Sequence, residues 1–101
     1  MEIEVSLDAI YKPSEDVVVR EIEGKIIIIP ITFGVEDLED EIFTLNKTGR
    51  AIWEKVDGKR DTKGLIKELT SEFKTSAQKI EKDVLGLLKE LLKRRMLVEV
   101  K

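Results

Sequence analysis

The chain has 101 residues, a formal net charge of −3 and a pI near 5.1, with 39% of its residues charged. That length supports one compact domain with little surplus stability. The absence of cysteine and histidine excludes thiol and imidazole catalysis, disulfides and the usual zinc or iron ligand sets, while the negative field argues against phosphate as a partner.

Ile3, Val5 and Leu7 alternate with Glu4 and Ser6, the pattern of an extended arm with one apolar face. No basic stretch precedes an apolar run there, so no signal peptide is expected and a cytoplasmic location is the default. The longest apolar run, Ile26 to Ile31, is far below the ~20 residues of a spanning helix, so no membrane partner is expected. Tyr11 to Asp16 reads as turn-rich, because Pro13 disfavours helix at Lys12, and regular structure is expected to begin after it.

Val17 to Ile22 and Lys25 to Ile31 read as two β-branched strands joined by a tight turn at Glu23-Gly24. Pro30 lacks an N–H, so the second strand must end, bulge or face an edge there. Four consecutive isoleucines, Ile26 to Ile29, predict cover on both faces of that strand: helices on one side, the N-terminal arm on the other. The loop from Thr32 to Asp40 begins an acidic run of Glu36, Asp37, Glu39, Asp40 and Glu41. It lacks the ligand order and glycine of a calcium loop and reads as solvated surface, so no metal site is expected.

A third short strand, Glu41 to Leu45, leads into the switch of periodicity on which the architecture turns. From Leu45 onward, Gly49, Ile52, Trp53 and Val56 share one helical face, with Asn46 positioned to cap the helix. Gly49 would let the first turn lie close against another backbone. Gly58 suits the left-handed end of that helix, Asp61 caps a second helix that buries Leu65, Ile66, Leu69 and Phe73, and Thr75-Ser76 open a third from Ala77 to Arg95. Met96 to Val100 completes the chain as a short strand or tail.

On the third helix, Ile80, Val84, Leu87, Leu88 and Leu91 form one stripe, with Leu85 and Leu92 at its edge and Lys82 and Lys89 beyond. The expected fold is α+β and winged-helix-like: an arm over 1–16, a three-stranded antiparallel sheet over 17–45, three helices over 46–95 and a terminal strand or tail over 96–101.

The segment "LNKTGRAIW" (Leu45 to Trp53), followed by Asp57-Gly58 and by "DVLGLLKELLKRRMLVE" (Asp83 to Glu99), resembles the PqqD family over roughly Tyr11 to the C-terminus. These small proteins bind precursor peptides in the biosynthesis of pyrroloquinoline quinone (PQQ) and other ribosomally made, modified peptides (RiPPs). The resemblance implies that a leader peptide adds as a strand to the third strand and lies in the cleft between it and the third helix. Expected contacts are then Glu41, Ile42, Phe43, Thr44 and Leu45 at the strand edge and Lys82, Leu85, Leu88, Lys89 and Leu92 on the helix flank. Asn46, Gly49, Trp53 and Gly58 are the family's signature, with packing and capping roles.

The resemblance further implies a peptide chaperone without catalytic residues or cofactor, a monomer or weak dimer that delivers its guest to a radical S-adenosylmethionine (radical SAM) enzyme. Two departures, the acidic insertion and Arg95 where a glycine is common, leave open which modified peptide is served. The alternative on fold grounds is a winged helix-turn-helix DNA-binding protein. The third helix does carry Lys79, Lys82, Lys89, Lys93, Arg94 and Arg95, but Glu81, Asp83 and Glu90 interrupt them, and no nucleic-acid partner is expected.

Overall fold

The computed structural model describes residues 4–31 and 42–100. Within them the chain forms strands β1 (Tyr11–Pro13), β2 (Val17–Ile22), β3 (Lys25–Pro30) and β4 (Phe43–Leu45), helices α1 (Lys47–Lys55), α2 (Thr62–Phe73) and α3 (Ala77–Lys93), and a last strand, β5 (Leu97–Glu99). The mixed α+β arrangement of a three-stranded antiparallel sheet and three helices is the one expected from the sequence.

β2, β3 and β4 form the main sheet in that order, with Val19 paired to Ile28 and Ile28 to Phe43. Glu23 and Gly24 both have positive φ, the backbone of a two-residue hairpin turn whose twist matches that of the strands. Ile26 and Ile28 are buried beneath the helices, packed with Leu45, Ile52, Trp53 and the apolar stripe of α3. β3 ends at Pro30, where the missing N–H would break the ladder.

Among the described residues, the arm does not cover the second face of β3 as expected. Ile27 and Ile29 remain half-buried, and the arm turns to the helices instead. Leu7 and Ala9 carbonyls accept hydrogen bonds from the amides of Lys63 and Thr62 at the start of α2, at 3.0 and 3.1 Å. Those amides belong to a helix's first turn and have no intrahelical acceptor, so the arm satisfies groups that α2 leaves open. Lys63 also pairs with Asp8 at 3.0 Å, and Asp8 foremost holds its ammonium pKa above the ordinary lysine value.

Structure also begins earlier than expected. Tyr11 to Pro13 pairs antiparallel with Leu97 to Glu99, a second, two-stranded sheet that ties the two ends of the domain together. The steric effect that keeps Lys12 out of a helix places it in the extended region, so Pro13 favours this short strand rather than preventing it. Tyr11 is buried, its hydroxyl accepts from the Ser6 amide at 3.1 Å, and its carbonyl accepts from the Gly58 amide at 3.0 Å.

Each helix starts where its cap was read: Asn46, Asp61 and Ser76 side chains accept from the amides of Gly49, Gly64 and Lys79. α3 stops at Lys93, two residues short of the expected end, in a Schellman motif: the Arg95 amide donates to Leu92 at 3.0 Å and the Met96 amide to Leu91 at 2.8 Å. Arg50 fastens α1 to the hairpin turn by donating to the Gly24 carbonyl at 2.9 Å and pairing with Glu21 and Glu54. Glu54 foremost raises its guanidinium pKa above the ordinary arginine value.

Candidate functional site

β4 is an edge strand among the described residues, because the sheet order places β3 on one side of it and no strand on the other. An unpaired edge presents backbone donors and acceptors that can take up a further strand. Beside this edge runs an open groove of about 420 Å³. Phe43, Thr44 and Leu45 form its sheet wall, and Asn46, Thr48, Gly49 and Ile52 line it at the start of α1. Asp83, Gly86, Leu87 and Glu90 of α3 form the opposite wall.

The local sequence explains the shape. The Asn46 Oδ1 accepts from the Gly49 amide at 2.8 Å, which turns the chain from extended to helical directly after β4. Gly49 completes the turn: a Cβ there would lie 3.2 Å from Leu45 Cβ and Cδ2, closer than ordinary packing allows. Its close neighbours are the side chains of Leu45 and Asn46, where a neighbouring backbone was expected. Trp53 is buried in the core and does not line the groove, in keeping with its packing role. Gly58, expected at the left-handed end of α1, lies three residues past its last residue, where it has φ of +80° and rests against Lys12 and Val100.

Just beyond α3, Arg94 reaches across to β4. Its guanidinium carbon lies 4.9 Å from the Phe43 ring centroid, and its Nε pairs with Glu90 at 2.8 Å. Glu90 is thereby neutralised. Asp83, three residues before Gly86, forms no ion pair among the described residues.

Of the expected strand-edge residues, Phe43, Thr44 and Leu45 line the groove, Ile42 is exposed just before them, and Glu41 lies outside the described residues with Glu36, Asp37, Glu39 and Asp40. The expected helix flank sits elsewhere. Leu88 is fully buried in the core, Leu85 and Lys89 border a separate shallow pocket with Glu4 and Val5 of the arm, Leu92 packs against the core and Lys82 is exposed. α3 has two flanks about its buried stripe, and the more apolar one serves the arm. The flank facing β4 is the one with Asp83, Gly86 and Glu90. The signal in the sequence was Gly86, a helix-breaking residue in the middle of an otherwise strong helix former.

Among the described residues no group of three or more metal-ligating side chains is gathered, and no helix is long and apolar enough to cross a membrane. The groove sets an open main-chain edge on one wall against varied shape and charge on the other, an arrangement of the kind that can take up an extended segment. The described residues form an α+β, winged-helix-like domain with an open sheet edge beside a helix-walled groove.

The particular family follows from comparison with known proteins. The sequence model described as Coenzyme PQQ synthesis protein D (PqqD) matches residues 31–97, and the chain belongs to that family. No curated protein matches the chain. Among solved structures it is similar to TbiB1, determined in complex with the TbiA(beta) leader peptide, at 20% sequence identity and a TM-score of 0.69, over 85% of this chain and 93% of that one. That likeness carries the fold across nearly the whole domain.

Proposed function

We propose that this protein is a non-catalytic adaptor for RiPP biosynthesis: it binds the leader of a precursor peptide as an added strand on β4 and presents the remainder to a modifying enzyme. The observation that carries this reading is the edge of β4, unpaired among the described residues, directly beside the groove that α3 walls. A strand laid there gains backbone hydrogen bonds whatever its sequence, and its alternate side chains point toward α3, where selectivity can be exercised. Family membership and a fold shared with a leader-peptide complex support the same reading. The modifying enzyme is of the radical SAM class, as the family implies, and the adaptor works in the cytoplasm beside it.

The contact set we propose is Ile42 to Leu45 at the edge and Asp83, Gly86, Leu87 and Glu90 on the helix. A DNA-binding reading gains nothing from the structure, since α3 turns its apolar stripe into the core and Arg94 is engaged by Glu90 and Phe43. The test is a titration of the 15N-labelled protein with a synthetic leader from a short precursor encoded beside its gene. Amide shifts should concentrate at Ile42 to Gly49 and Asp83 to Glu90. Saturable binding that leaves those residues unmoved overturns the site.

A further inference from the structure

Gly86 lies in the interior of α3, where glycine is the least favourable residue after proline. Its neighbours do not require it: a Cβ built there meets no atom of the described residues within 4 Å, and its backbone is helical. The missing side chain leaves a gap in the groove wall, bordered by Asp83 one turn before and Glu90 one turn after. Glu90 is held by Arg94, whereas the half-buried Asp83 carboxylate is without a cationic partner among the described residues. The groove thus offers an apolar shelf at Leu87, open space at Gly86 and one uncompensated negative charge at the end of that space.

We propose that Gly86 and Asp83 form a selectivity pocket for a lysine or arginine side chain of the guest strand. This rests on the strand-accepting reading above. A long cationic side chain fits the three features together: its alkyl stem lies over Gly86 and against Leu87, and its charged head reaches the Asp83 carboxylate at the groove's rim. A side chain at Gly86 would fill the space that the stem occupies. An acidic guest residue at this position would face the charge of Asp83 without compensation and is excluded. The substrate class is therefore a leader whose strand-forming segment carries a basic residue toward α3.

The experiment uses the full chain to sort a yeast-displayed library of random dodecapeptides, with binding sites of the selected peptides mapped by amide shifts. Peptides that move β4 and α3 resonances should share a lysine or arginine at one fixed position. Asp83→Asn should weaken them about tenfold, the scale of a hydrogen bond to a charged group, while Glu15→Gln, an equal charge change at a remote exposed site, should not. Gly86→Leu should abolish binding without lowering the thermal midpoint, which separates a blocked pocket from a damaged fold. Groove-binding peptides that lack a shared cation, or that bind Asp83→Asn equally well, overturn the pocket and leave the strand-accepting reading standing. Selected peptides that bind elsewhere, or a library that yields no binder, overturn both.

Discussion

Arg94, the residue that follows the last turn of α3, lies with its guanidinium 4.9 Å from the ring centroid of Phe43, at the start of the edge strand β4. This contact joins the two walls of the groove at one end, and the Glu90 carboxylate holds the arginine in place. An exposed cation–π pair is worth about 0.5–1 kcal/mol. We expect a double-mutant cycle of Arg94→Ala and Phe43→Leu, read by urea unfolding, to give a coupling energy in that range. Arg94→Ala should also weaken a groove-bound peptide through a less fixed Phe43, and a coupling energy near zero would show that the walls are held independently.

Asn46 and Gly49 make the turn from sheet to helix as a unit, since the side chain of one accepts from the amide of the other. Asn46→Ala should lower stability by about 1 kcal/mol, the usual loss for a helix cap. Gly49→Ala gains helix propensity but drives a Cβ to 3.2 Å from Leu45, a buried side chain with nowhere to retreat. Overpacking of this kind costs about 1–3 kcal/mol, so the net effect should be a loss of about 1 kcal/mol. Chemical denaturation of the two variants measures both, and a stabilised Gly49→Ala protein would contradict the close approach.

Arg95 occupies the left-handed position of the Schellman motif that ends α3, with φ of +61°. A residue with a Cβ is disfavoured there by about 1–2 kcal/mol, which glycine avoids, although glycine also has more freedom to lose on folding. Arg95→Gly should therefore raise stability by about 0.5–1 kcal/mol. The thermal midpoint checks it, and a fall would mean that the arginine makes a contact that outweighs its backbone conformation. This departure from the family pattern, visible in the sequence as a missing glycine, has a local physical meaning without touching the groove.

What could be read from the sequence was what neighbours in the chain decide. Asn46, Asp61 and Ser76 cap helices through bonds to amides three residues on, and Glu23-Gly24 closes a hairpin by its own φ angles. What could not be read depends on partners far apart in the chain. Tyr11 pairs with Glu99, and no local pattern announces that a strand before Pro13 will find one after Met96. The same holds for α3: the helical wheel shows an apolar stripe with two flanks, but which flank meets β4 and which meets Val5 is decided by tertiary packing. Leu85 looked the better groove residue because it is apolar, and it is apolar because it borders the arm.

Gly86→Ala is the counterpart of Gly49→Ala, and the two should differ in sign. Both glycines lie in helices, so the intrinsic gain on adding a methyl group is about 1 kcal/mol in each case. At Gly49 the methyl group meets Leu45, whereas at Gly86 it meets open space. Gly86→Ala should therefore be stabilising by about 1 kcal/mol, a rise of roughly 4–8 °C in Tm for a domain of this size. Differential scanning calorimetry of the two variants against the parent protein checks the pair. A Gly86→Ala variant that is less stable than the parent would mean that the groove wall is already in contact with part of the chain, and the space assigned to the guest side chain would not exist.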